Sequence, residues 1–237
     1  MTTRSNQPAQ HLVVLGHPSQ ASLNRAIAET YCAAVRECGQ VAFLRDLYAE
    51  GFDPVLRDAE RPGQPGYAQA PEVARELKLL ARSDALVLVY PLWFGGPPAI
   101  VKGYIDRVLG AGFGADAVRQ GRSHPLLAGK KLVSLSTSAT TRPWLEERGQ
   151  WEGLRQSFER YLATVFGMRE PERVHFEAVV EPMVPAVALE HLEDVRQTAR
   201  TVAAELAAGR HRDAAQAAIA RWSTALGPES AKPPKSS

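Results

Sequence analysis

The chain has 237 residues, 45% apolar and 23% charged, with 28 basic residues against 26 acidic ones for a net charge of +2. That size and composition suit one globular domain with a three-layer core. A balanced charge without a basic block interleaved with aromatics excludes nucleic acid as the main partner. The longest apolar run, Ala85 to Phe94, is far short of the ~20 residues that span a bilayer, so no membrane insertion is expected.

The opening MTTRSNQPAQ is polar and lacks an apolar signal-peptide core. Residues 1–10 and the Pro/Ser-rich 227–237 read as disordered tails around a domain over 11–226. Next comes LVVLG, a strand over 12–16, followed by the turn HPSQAS and a helix over 22–38. This places backbone N–H groups and a helix dipole where an anion can sit, without a P-loop or a GxGxxG. Ser19 and Ser22 are candidate helix caps, and with His17 they can surround a phosphate; a plain N-cap beside a loop histidine is the simpler alternative. Cys32 and Cys38 lie six positions apart on this helix, about 600° of turn, and so cannot bridge. With no metal-ligand spacing either, no metal is expected, and the compartment expected is the reducing cytoplasm.

VAFLR over 41–45 is the second strand. After it, residues 50–71 hold Pro54, Pro62, Pro65 and Pro71, a long surface excursion of the kind that covers a ligand edge or a partner. A helix over 71–82 leads to ALVLVY, 85–90, an unbroken apolar strand that suits burial on both faces. Its exit, Pro91-Leu92-Trp93-Phe94-Gly95-Gly96-Pro97-Pro98, sets a bulky aromatic pair where a central strand has no core to fill. Stiffened by proline and opened by glycine, such a segment offers apolar walls and backbone donors to a flat ring. Packing of the pair beneath 50–71, or in a dimer interface, is the competing reading.

A helix over 98–109 comes next. GFGADA, 112–117, matches GxGxxA in letters but follows a helix, with no acidic strand end twenty residues on, so a nicotinamide-dinucleotide fingerprint is rejected. The strand LVSLS, 132–136, ends in the polar turn Ser136-Thr137-Ser138-Ala139-Thr140-Thr141. A helix over 151–166, a strand over 174–180, a helix over 187–208 and an alanine-rich helix near 213–225 complete the chain. Strand–helix alternation predicts an α/β domain with a doubly wound five-stranded parallel sheet, order 2-1-3-4-5, helices on both faces and ligands beyond the carboxyl ends of its strands.

GHPSQASLN, RDLYAEGFDPV, ALVLVYPLWFGGPPAIVKGYIDRVLGAGF and GKKLVSLSTSA occur in that order. Together they resemble the flavodoxin-like NAD(P)H:quinone oxidoreductase family, which includes DT-diaphorases, bacterial drug-activity modulator reductases and ancillary reductases of glutathione-gated potassium efflux systems. The likeness covers about residues 11 to 181, and PLWFGGPPAIVKGYIDRV is its most specific part. It implies a homodimer binding FMN, with FAD as the alternative. His17, Ser19, Ser22, Leu23 and Asn24 would hold the flavin phosphate. Pro91, Leu92, Trp93 and Phe94 would line the isoalloxazine, and Thr137, Ser138 and Ala139 would meet its pyrimidine edge. The activity implied is ping-pong reduction of a quinone or similar small aromatic acceptor by NAD(P)H, through flavin N5. No side chain is assigned as catalytic.

Two departures stand out. The last turn reads Thr-Ser-Ala where the family has Thr-Thr-Gly-Gly, and Trp144 and, with a one-residue offset, Trp151 stand where mammalian relatives have a Tyr and a His. Competing roles are a flavodoxin-type carrier, which the charge of +2 disfavours, and a regulatory subunit of a membrane transporter, docked through the helices beyond 187. A serine hydrolase through Ser22 or Ser136 lacks the GxSxG elbow.

Overall fold

The computed structural model of the chain describes residues 7–180 and 182–225. Five strands form one sheet: β1 (Gln10–Leu15), β2 (Val41–Asp46), β3 (Ala85–Pro91), β4 (Lys131–Thr137) and β5 (Glu172–Phe176). All neighbours pair in parallel, in the order β2-β1-β3-β4-β5, so the doubly wound sheet read from the alternation is present. The central strands β3 and β4 are buried at every position.

Burial of both faces follows from the period of two. Leu12, Val14, Leu86, Leu88 and Tyr90 face one layer, which comprises α2 (Pro71–Arg82), α3 (Ala99–Tyr104) and α7 (Arg160–Phe166). Val13, Leu15, Val87, Val89, Val133 and Leu135 face the other, built from α1 (Leu23–Glu37) and α8 (Pro185–Ala225). The middle of α8 packs against α1 through Val195, Ala199, Val202 and Leu206. Gln40 ties it to the sheet, its Oε1 accepting from Nε2 of buried His11 at 2.8 Å and its Nε2 donating to the Ala203 carbonyl at 2.7 Å.

Several boundaries differ from those expected. β1 takes in Gln10, and Ala9 is buried, so regular structure starts inside the stretch read as a tail; residues 1–6 and 226–237 lie outside the described residues. The last strand ends at Phe176 rather than 180, because Ala178 adopts φ 54, which no strand continues. The two helices expected over 187–208 and 213–225 are one: Gly209 lies between them but no proline does, and a single glycine costs a helix only about 1 kcal/mol. The helix over 98–109 is α3 followed by a π-helical turn, Ile105–Leu109, and the one over 151–166 contains a second, Arg155–Glu159. The helix read over 151–166 thus begins as α6 (Gln150–Leu154), and two short helices were not expected, α4 (Ala115–Arg119) and α5 (Arg142–Glu147).

The excursion 50–70 is fastened down. Arg107, 4% exposed in the first π turn, donates to Glu60 at 2.7 Å, to Glu72 at 2.6 Å and to the Asp53 carbonyl. Its guanidinium also lies 5.4 Å from the Phe52 ring. Gly103 of α3 lets the Pro54 backbone approach so closely that a Cβ there would stand 2.4 Å from it.

Candidate functional site

Three loops leave the carboxyl ends of β1, β3 and β4, and the hydrogen bonds join them. Leu92 N donates to the Thr137 carbonyl at 2.7 Å. The Thr137 hydroxyl donates to Asn24 Oδ1 at 3.0 Å. The His17 and Trp93 rings are 5.8 Å apart. Residues 17–24, 91–94 and 137–139, far apart in the chain, therefore meet at one rim of the sheet.

The first loop is built around the start of α1. Ser22 is the N-cap: its Oγ accepts from Arg25 N at 3.2 Å and donates to the Ser19 carbonyl at 2.8 Å. Ser19 organises the turn before it, its amide donating to His17 Nδ1 at 3.1 Å and its Oγ accepting from Ala21 N at 3.3 Å. The amides of Leu23 and Asn24 belong to the first turn and have no intrahelical acceptor. No acidic residue occupies that turn, so the positive end of a 15-residue helix is left uncompensated. Asn24 is 3% exposed, and its Nδ2 has no partner among the described residues. A buried amide donor at a helix N-terminus is costly unless an acceptor arrives, and an anionic oxygen is such an acceptor. Behind the loop, Asp46 at the end of β2 holds Gln20 at 3.2 Å and Arg25 at 2.8 Å.

The second loop is a hairpin tip. Trp93 and Gly96 exchange backbone bonds of 2.9 and 3.1 Å, and between them Phe94 (φ 49) and Gly95 (φ 82) both adopt left-handed backbone. Glycine makes that turn feasible at the second position. Trp93 is 42% exposed and Phe94 fully so. Phe94 therefore packs beneath nothing, and the 50–70 excursion is pinned to α2 and the first π turn. Pro91 is the buried last residue of β3 and Leu92 is partly buried.

The third loop turns on Ser138, whose amide donates to the Phe176 carbonyl at 3.0 Å and whose carbonyl accepts from Val179 N at 2.8 Å. Ala139 is exposed; its amide and that of Thr140 make no hydrogen bond among the described residues. Behind this turn lies His175 of β5, absent from the sequence reading. Its ring bonds the Ser136 hydroxyl at 2.9 Å and the Ser138 hydroxyl at 3.0 Å. Burial first, then the Arg173 charge, push its pKa down to about 4. The alternation of Ser134, Ser136 and Ser138 along a buried strand was the available signal, because buried hydroxyls require polar partners.

Trp151 covers His175 at 5.1 Å and lies 3.8 Å from the Arg173 guanidinium and 5.0 Å from that of Arg142. Trp144 sits apart, exposed under Arg148 at 4.1 Å. Of the two tryptophans, Trp151 backs the third loop. A groove of about 750 Å³ also opens directly beside Ser22 and Leu23, walled by Val179, Met183, Ala188 and Leu192. Among the described residues, no cluster of His, Cys, Asp or Glu is placed to hold a metal, and no helix is long and apolar enough to cross a membrane.

Comparison with known proteins gives a consistent picture. An uncharacterized NAD(P)H oxidoreductase of Haemophilus influenzae is 34% identical over 168 residues, 70% of this chain and 81% of the relative. The rat NAD(P)H dehydrogenase [quinone] 1 is 29% identical over 146 residues; the chain spans about half of that protein, 53% of its length. Among solved structures, the NAD(P)H:quinone oxidoreductase from Methanothermobacter marburgensis superimposes with a TM-score of 0.70 at 24% identity, over 82% of this chain and 99% of that one. The Flavodoxin_2 profile, described by its flavodoxin-like fold, matches residues 9–222, and with the β2-β1-β3-β4-β5 parallel sheet this makes the chain a member of the Flavodoxin_2 family.

Proposed function

We propose that the chain is a flavin-dependent NAD(P)H oxidoreductase that reduces quinones or similar two-electron acceptors. The observation that carries this reading is the unpartnered, buried Asn24 amide at the positive end of α1, facing a rim where Trp93 and Phe94 stand exposed. The residue set fits a flavin: hydroxyls and amides for a phosphate, an aromatic wall for a flat ring, and unpaired amides at the far turn. The relatives named NAD(P)H oxidoreductase and NAD(P)H dehydrogenase [quinone] support the same activity.

The chain's own contributions derive from the geometry. Ser19, Ser22, Leu23 and Asn24, with His17, would bind the phosphate through N–H and O–H donors strengthened by the helix dipole. Pro91, Leu92, Trp93 and Phe94 would exclude water from one side of the ring. Thr137, Ser138 and Ala139 would orient its polar edge, and the unpaired Ala139 and Thr140 amides suit negative charge there. When bound, the flavin supplies the hydride chemistry itself, accepting from NAD(P)H and passing two electrons to the acceptor.

FMN is the minimal cofactor. The apolar groove that begins at Ser22 favours FAD as the second reading, since an adenine continuing past the phosphate would find apolar walls there. Purified protein is expected to show a flavin spectrum, to release FMN or FAD on heating, and to consume NAD(P)H with a quinone. A protein that stays colourless in excess FMN and FAD overturns the reading. A coloured protein without turnover points instead to an electron carrier.

A further inference from the structure

The buried hydrogen bonds around His175 have a single consistent polarity. The Ser138 hydroxyl has one proton and makes its shorter contact, 2.7 Å, to the Thr140 carbonyl, which can only accept. Its oxygen must therefore accept from His175, so Nε2 carries the ring proton in the neutral imidazole. Nδ1 is then the acceptor, and the Ser136 hydroxyl, itself 1% exposed, donates to it. The result is a directed chain, Ser136 to His175 to Ser138 to the Thr140 carbonyl, with every proton assigned. It spans β4 and β5 at the ends that carry the third loop. Trp151 covers one side of the imidazole, and the backbone of the turn is stapled to the same strand end through Phe176.

We infer that His175 is a positioning residue of the site: by bridging Ser136 and Ser138 it holds the 138–140 turn in one conformation, leaving the Ala139 and Thr140 amides for the ligand. This use of the turn rests on the proposed flavin function; the ordering of the turn does not. A side chain one position from the end of an edge strand thereby sets the geometry of a loop it does not belong to. The neutral ring is suited to this, since it offers one donor and one acceptor along a fixed line.

His175→Phe keeps an aromatic ring against Trp151 and removes both hydrogen bonds; His175→Gln restores a donor toward Ser138. Two readouts separate the inference from the function beneath it. In protein without flavin, hydrogen exchange of the 138–141 amides is expected to rise about tenfold in His175→Phe, with β1 and β3 unchanged and part of the protection regained in His175→Gln. In an FMN titration, His175→Phe is expected to weaken binding about tenfold. Unchanged exchange in His175→Phe overturns the positioning role whatever the titration gives. Wild-type protein that takes up no flavin overturns the functional reading, while the exchange measurement still decides the role of His175. Should His175→Phe fail to fold, Ser136→Ala decides in the same way, with faster exchange at 138–141 expected and unchanged exchange overturning the inference.

Discussion

The excursion 50–70 and the hairpin 92–97 are both long departures from regular structure, and they differ in what holds them. The excursion is tied by a buried cation: Arg107 reaches Glu60, Glu72 and the Asp53 carbonyl, while Pro54 lies flush against Gly103. The hairpin is closed by two backbone bonds and leaves its aromatics to solvent. Folding draws on the charged groups of the first and on almost no side chain of the second. Side chains that folding leaves unused are the ones free for a ligand, which is why the plainer of the two segments is the one we propose for the flavin.

Breaking that contrast should cost stability on one side and affinity on the other. Arg107→Met leaves Glu60 buried without its partner and is expected to cost about 3–5 kcal/mol in chemical denaturation, with flavin affinity of the folded protein little changed. Gly103→Ala forces a methyl against the Pro54 backbone and should cost about 1–3 kcal/mol by the same measurement. Trp93→Ala reverses the pattern, weakening flavin about tenfold while shifting stability by less than about 0.5 kcal/mol. Trp144→Ala should leave both unchanged, and an equal loss of flavin in the two variants would mean that the ring lies elsewhere.

Acid sharpens the comparison further. Hydrogen bonds from Arg107 hold the Glu60 and Glu72 carboxyls below their ordinary 4.5. Their folded forms bind protons less readily than the unfolded chain, so they stabilise the protein fully above that value. The contribution disappears as pH falls below 4.5 through the folded pKa values, and Arg107→Met should flatten this limb of the curve. A shallower loss between pH 6.5 and about 4 belongs to His175, whose protonation is opposed mainly by burial. His175→Phe should lack it.

Much of the architecture was legible because the periods were clean. ALVLVY, short and β-branched, suits a strand buried on both sides, and strand–helix alternation implies a parallel sheet. What escaped depends on contacts between distant residues. Nothing in VHFEAVV announces that Ala178 turns left-handed and ends β5 early. At the rim, Ser22 and Trp93 stood out from position alone, since caps and aromatics at strand ends have local causes, whereas Asn24 entered only through the family resemblance. His175 did neither, because its role lies in pairing with Ser136 and Ser138 across the β4–β5 register. Arg107, a charge inside the apolar IDRVL, could have been suspected, yet its partners are 35 and 47 residues away.

The two π-helical turns have a common consequence. Each carries one of the molecule's buried charged side chains, Arg107 in the first and Glu159 in the second. A π turn is a helix widened by one inserted residue. Because the turn widens instead of shifting phase, the segments on either side keep their apolar faces on the sheet while a charged side chain is set into the core. Arg107 thereby reaches Glu60 and Glu72, and Glu159 reaches Tyr90 and Ser134, from helices that still cover the sheet.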